Sequence, residues 1–148
     1  MEKILVVGAN VIEKDKKTLL MQETFKEVRG KWNFPAGRLE IDEDIIACTE
    51  REGEEETGFK VKPLYLIGIY QYYLTLEYNV TLFVFKSEIV RGQLTITKEA
   101  MDVRWFSFNE IKELDKKGLL VGSYILKALE DCKASKKIPL NYITVLKD

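Results

Sequence analysis

Apolar residues cluster at strand spacing over much of this chain. Residues 3–12 (KILVVGANVI) form an apolar, β-branched run, Glu13 to Lys17 is a charged turn, and residues 18–22 (TLLMQ) return as the second strand of a hairpin. A charged, mobile-looking loop over 23–31 follows, with Gly30 near its end. Residues 32–37 (WNFPAG) then read as a short extended piece, where Pro35 fixes φ and Gly37 permits a tight turn. Residues 61–75 and 78–90 are long and rich in Val, Ile, Leu, Tyr and Phe, hence two strands turning at Leu76–Glu77. Residues 102–106 (DVRWF) make a further short strand, and residues 109–114 and 123–134 read as helices, the second with an apolar stripe of Tyr124, Leu126 or Ile125, and Leu129.

Between the early and late strands, residues 42–57 contain no proline and place Ile45, Ile46 and Ala47 near the start of a predicted helix. Asp42 is the expected N-cap, with Glu43 and Asp44 in the first turn, where the helix dipole favours negative charge. Gly58 is the expected left-handed C-cap, followed by apolar Phe59. The order of strands, one helix, strands and closing helices predicts an α+β domain spanning residues 1–148, a mixed sheet with helices packed on it. It is not a regular doubly wound βαβ fold.

Composition narrows the chemistry. The 148 residues suit one domain, and at 46% hydrophobic and 32% charged the composition is that of a soluble globular protein. A net charge of −1 supplies no basic surface for duplex nucleic acid. There is no histidine, which removes Ser-His-Asp triads, imidazole bases and His-Cys metal sites. Cys48 and Cys132 are far apart and are expected as free thiols. The N-terminal run lacks a cleavage pattern and is expected as a strand, and no segment approaches the ~20 apolar residues of a membrane helix. A cytoplasmic location is the expectation.

The acidic helix is where catalytic chemistry can lie. Glu52, Glu55 and Glu56 fall at i, i+3 and i+4, so one face carries three carboxylates within a turn of each other. Like charges at those spacings repel by roughly a few tenths of a kcal/mol per pair, and charge near the helix C-terminus opposes the dipole. Two readings remain open on this pattern alone: a solvated acidic face, or a site for a hard divalent cation.

From Gly37 onward the chain reads Gly37, five residues, Glu43, seven residues, then Arg51-Glu52-x-x-Glu55-Glu56-x-Gly58-Phe59. This resembles the box of the Nudix hydrolases (MutT-like), G-x5-E-x7-R-E-U-x-E-E-x-G-U, where U is bulky and apolar. All fixed residues match in identity and spacing. Gly53 departs, because it stands at the first U position; a mid-helix glycine costs about 1 kcal/mol relative to alanine and implies either a weakened or an unusually close helix contact.

The resemblance implies an α/β/α sandwich in which the box folds as loop-helix-loop. It also implies magnesium-dependent cleavage of phosphoanhydride bonds, with manganese as a substitute, by attack of an activated water on phosphorus. By the same resemblance Glu52 and Glu56 are metal ligands, Glu55 is a ligand or the base, and the Gly37 carbonyl is a further ligand. Arg51 would orient Glu43 through a salt bridge. Glu99 lies in a segment similar to the family's E-x-x-E-x-x-W-F-S and is either an extra ligand or base, or a solvated loop glutamate.

The run Trp32-Asn33-x-Pro35-Ala36-Gly37 and the Ile138-Pro139-Leu140 tail are similar to a NudJ-like subgroup, which implies nucleoside tri- and diphosphates or thiamine-type diphosphates as substrates. Asn33, Phe34, Arg38 and Gln71 are the candidate substrate-binding residues. Tyr70, Tyr72 and Tyr73 flank Gln71 on a predicted strand and either stack a ring or cap the core. Alternatives are an ADP-ribose or dinucleotide pyrophosphatase, or a Nudix-fold regulator that binds nucleotides without hydrolysis. Many members of the family are homodimers, while this chain is also large enough to stand alone.

Overall fold

The computed structural model describes residues 2–148. The apolar N-terminal run becomes the central strand β1 (Lys3–Lys14), and the turn shrinks to Asp15 and Lys16, both with positive φ, before β2 (Lys17–Gln22). The segment expected as a loop contains a short 3-10 turn, Lys26–Val28, pinned by buried Val28. Two brief strands follow, β3 (Trp32–Asn33) and β4 (Ala36–Arg38). Helix α1 (Ile45–Thr57) leads into the long hairpin of β5 (Phe59–Thr75) and β6 (Tyr78–Gly92), which turns at Leu76–Glu77 as expected. Strand β7 (Asp102–Ser107) and helices α2 (Phe108–Lys116) and α3 (Tyr124–Lys133) complete the order. A capping box at Ser107 and Glu110 starts α2 directly behind β7.

Among the described residues the seven strands form one mixed sheet with a path β3-β2-β1-β6-β5, in which β1 and β6 run parallel. Strand β1 changes partner along its length. Its middle pairs with β4 through Val7–Arg38, Gly8–Gly37 and Ala9–Ala36, and its far end pairs with β2. That switch leaves β4 free to lie beside the helix that follows it.

Strand alternation divides the core into two layers. Ala9 and Val11 of β1 and Leu82 and Val84 of β6 join Ile125, Ala128 and Leu129 of α3 on one side. On the other side, Ile45 of α1 packs with Leu66 and Phe85. A sheet with period-two alternation buries both faces only if helices cover both, so the result is the α/β/α sandwich of an α+β domain. No helix among the described residues is long and apolar enough to cross a membrane. Cys48 is buried, Cys132 is half-buried, and both are free thiols.

One helix boundary differs from expectation. Asp44, not Asp42, is the N-cap of α1, its Oδ1 accepting from the Ala47 N–H at 2.8 Å. Starting the helix later leaves Glu43 in the preceding loop, where its carboxylate can reach Arg51. The C-cap is as expected: Gly58 has φ 83° and its N–H donates to the Glu54 carbonyl at 2.9 Å.

Candidate active site

Helix α1 lies across β4, and this places its acidic residues in register with the strand. The Ala36 N–H donates to Glu56 Oε1 at 2.6 Å. One turn back, the Glu52 carboxylate occupies the space above Gly37, where a Cβ would come within 2.0 Å of its carbon. Any side chain at residue 37 would displace Glu52. The i, i+4 spacing therefore puts Glu52 and Glu56 along the same edge of β4.

Glu55, at i+3, turns to the flank of the helix. There it shares Arg51 Nη1, at 3.2 Å, with Glu52 at 2.7 Å. Arg51 also forms a bidentate pair with Glu43, Nε to Oε2 at 2.9 Å and Nη2 to Oε1 at 2.6 Å. The guanidinium holds the Glu43 carboxyl down to about 2. Arg51 thus ties the loop before α1 to its last turns, since Glu43 lies two helical turns away in sequence.

Glu52 and Glu56 experience the opposite effect. Burial raises the Glu56 carboxyl well above its ordinary value, and the neighbouring charges of Glu23, Glu52 and Glu99 push it further. Burial likewise raises Glu52, against the pull of Arg51. Glu99 arrives from the loop between β6 and β7. That loop is fastened to α1 by Thr97 Oγ1 donating to the Glu55 carbonyl at 2.6 Å and by the Thr95 N–H donating to the Thr57 carbonyl at 2.9 Å.

These groups open onto a cleft of about 520 Å³. Glu23, Glu40, Glu52, Glu56 and Glu99 make its lining acidic, with Arg38 the one cationic side chain that lines it among the described residues. Leu5, Val7, Leu74, Val80, Leu82 and Val121 line the remainder with Tyr72 and Tyr124. A cleft of this kind repels a phosphate by itself and admits one together with cations.

Among the described residues no three acidic or cysteine side chains are already grouped at chelating distance, and Arg51 holds Glu52 and Glu55. The donor set nonetheless fits a hard divalent ion. Its groups are carboxylate oxygens, one of them on a deeply buried side chain, and one rests in a cradle that a Cβ would fill. The Gly37 carbonyl, an expected ligand, faces the Cys48 thiol at 3.5 Å. Burial pushes that thiol up to about 12, so it stays protonated and leaves the carboxylates as the charged donors.

Of the substrate candidates, Asn33 and Arg38 line the cleft, whereas Phe34 and Gln71 do not. Phe34 is fully buried in the core, its ring 6.3 Å from that of Tyr124. Gln71 points to the opposite face of β5 from Tyr70 and Tyr72 and donates to Asn79 Oδ1 at 3.0 Å. The structure also adds Glu23 and Tyr124 to the cleft, and of the tyrosines flanking Gln71 it places Tyr72 there. Tyr124 lies 91 residues from its hydrogen-bond partner Asn33, a pairing that sequence periodicity does not carry.

Gly53 is a close contact. A Cβ there would stand 2.6 Å from Val61 Cγ2 and 3.1 Å from Asn10 Nδ2.

A sandwich with this acidic helix against β4 defines a Nudix domain. The sequence matches the NUDIX domain family over residues 3–127, and the chain belongs to that family. It is 33% identical over 97 residues to the 8-oxo-dGDP phosphatase NUDT18 of Danio rerio, a stretch that covers 66% of this chain and 29% of that protein. It is 29% identical over 143 residues to phosphatase NudJ of Escherichia coli, covering 93% of this chain and 89% of the relative. A NUDIX hydrolase structure from Nitrosomonas europaea superposes with a TM-score of 0.87 at 32% identity, covering 97% of this chain and 98% of that one. The chain spans less than a third of the length of the NUDT18 proteins it matches.

Proposed function

We propose that this chain hydrolyses phosphoanhydride bonds of nucleoside di- or triphosphates, or of related heterocyclic diphosphates, with magnesium or manganese as cofactor. The observation that carries the proposal is the convergence of buried Glu56 and half-buried Glu52 with Glu99 in a cleft lined elsewhere by apolar and aromatic side chains. Such a cleft offers a place for a charged phosphate chain and a place for a ring. The activities for which the relatives are named, an 8-oxo-dGDP phosphatase and a phosphatase, agree with this reading.

Glu52 and Glu56, with the Gly37 carbonyl, would hold the cation. When bound, it supplies polarisation of the phosphate oxygens and lowers the pKa of water. The Ala36 N–H fixes the Glu56 carboxylate at one oxygen. Arg51 and Glu43 brace the helix from outside the cleft. Glu99 reaches the cleft from solvent and is assigned the role of base, taking the proton of the attacking water. Glu55 is held at Arg51 instead.

Phosphate release from a panel of nucleoside di- and triphosphates, thiamine diphosphate and ADP-ribose, with Mg²⁺ or Mn²⁺, tests the proposal. Turnover that disappears in Glu56→Gln supports it. No turnover of any member by the wild type, or equal turnover in the variant, overturns it. Calorimetric binding of nucleotide without hydrolysis would point to a regulator instead.

A further inference from the structure

We infer that Glu23 is a specificity-determining residue that selects a substrate ring bearing an exocyclic amino group, by accepting a hydrogen bond from it. The inference rests on the hydrolase reading above and adds to it the chemistry of the ring.

Glu23 is the first residue after β2 and lines the cleft together with Glu56, Tyr72 and Tyr124. Its charge is felt by Glu56 and also by Tyr72 and Tyr124. It is mostly withdrawn from water, and burial raises its carboxyl. A carboxylate at such a place demands hydrogen-bond donors.

The donors supplied by the protein are few. Asn33 Nδ2 donates to Glu23 Oε1 at 3.1 Å, and the Phe25 backbone N–H supplies a second bond. A carboxylate has about four lone-pair sites, so acceptor capacity remains. Asn33 has none to spare, because its Oδ1 already accepts from the Phe34 N–H at 2.9 Å and from the Tyr124 hydroxyl. The Tyr124 hydroxyl hydrogen is spent in that bond, and Tyr124 is itself buried, its ring 4.7 Å from that of Tyr72.

The network therefore fixes Asn33 as a donor toward Glu23 and leaves Glu23 as the acceptor offered to a ligand. A ring with an amino group at this edge satisfies it. A ring with a carbonyl there sets oxygen against oxygen and leaves the carboxylate short of a donor. Sites built to bond a particular group reject the analogue lacking it far more strongly than apolar pockets reject a missing methylene.

The test compares substrates that differ only in amino against oxo: CDP with UDP, and ADP with IDP, in Mg²⁺. The wild type is expected to favour the amino member of at least one pair by about tenfold or more in kcat/KM. Glu23→Gln keeps an oxygen for Asn33 but replaces an acceptor by a donor, and is expected to cut that ratio to about threefold or less, mainly through KM. Glu27→Gln, on the same loop, is expected to keep the ratio. Equal turnover of both members by the wild type overturns the inference without any variant, as does a ratio that survives Glu23→Gln. If Glu23 served the cation instead, the variant would raise the metal requirement for both members and leave the ratio standing, which also overturns it. Absence of turnover for all four nucleotides, and for the rest of the panel, defeats the hydrolase reading itself; turnover without amino preference defeats only this inference.

Discussion

Gly53 of α1 lies against Asn10 of β1, so close that a Cβ on residue 53 would stand 3.1 Å from Asn10 Nδ2. Asn10 is fully buried, yet every polar atom of its side chain is matched. Its Nδ2 donates to the carbonyls of Pro35, at 3.1 Å, and Thr49, at 2.9 Å, while Ser87 Oγ donates to its Oδ1 at 2.7 Å. This amide links β1, β6, α1 and the turn before β4, and the Ala36 N–H that holds Glu56 follows immediately after Pro35. The glycine in the box is the room that α1 needs to sit on this network.

Gly53→Ala should therefore destabilise the protein, although alanine is the better helix former. The propensity gain is about 1 kcal/mol, whereas overpacking a filled interior costs about 1–3 kcal/mol. Denaturant unfolding should show a net loss of up to about 2 kcal/mol. Adding Val61→Ala, which removes the methyl that a Cβ would meet at 2.6 Å, should make the pair of changes less costly than their sum. A stabilised Gly53→Ala would contradict the close contact.

Glu56→Gln should abolish turnover, by at least about a hundredfold, while leaving the fold intact or firmer. The amide keeps an oxygen for the Ala36 N–H but removes a charge that burial disfavours. The sign follows from linkage: a carboxyl raised on folding lends its stability below its unfolded value, near 4.5, and loses it as pH climbs through the folded one. Cation-free wild type should accordingly lose stability from mildly acidic toward alkaline pH more steeply than the variant. Mg²⁺ or Mn²⁺ should raise the wild-type Tm at pH 8 and leave that of Glu56→Gln nearly unmoved, as followed by thermal denaturation.

Arg51 and Glu43 act in the other pH window. The Glu43 carboxyl is held at about 2, so its contribution is fully present above about 4.5 and is lost as pH falls toward about 2. Acid unfolding of Arg51→Met should lack that component. Arg51→Lys should restore little of it, because an ammonium cannot reproduce the two-point bond at 2.6 and 2.9 Å. Equal acid unfolding of wild type and Arg51→Met would remove the brace from the account.

Tyr70 provides a check on the same layer as the cleft but outside it. Its hydroxyl donates to Asp131 Oδ2 of α3 at 2.6 Å, and Lys127 and Lys136 hold Oδ1 at 3.0 Å each. Tyr70→Phe should cost about 1.5–3 kcal/mol in urea unfolding, as expected for a bond to a charged group. Since Tyr70 does not line the cleft, KM and kcat should change little.

The acidic helix was readable because its signals are local. The spacing of Glu52, Glu55 and Glu56 and the glycine cap depend only on 3.6-residue periodicity and on which residue tolerates a positive φ. The N-cap was misjudged by two residues because Asp42, Glu43 and Asp44 are chemically alike in sequence. What separates them is that Glu43 is drawn to Arg51, eight residues on. Phe34 and Gln71 do not reach the cleft for a comparable reason: an aromatic in the link between β3 and β4 and an amide on β5 can face either way, and the face is set by what packs behind them.

Taken alone, the sequence determined the order of elements, the family box and the set of carboxylates available, since all of these are carried by neighbours along one helix or strand. Tertiary structure decided which carboxylates are buried and which are paired. Burial of Glu56 depends on β4 lying across α1, and the pairing of Glu55 depends on where Arg51 settles. It also brought in Glu23 and Tyr124 through contacts between residues as far as 91 apart, and it chose Tyr72 from the tyrosines around Gln71. Charge is written in the sequence, but desolvation is a property of the packed fold, and desolvation turns a row of glutamates into a site.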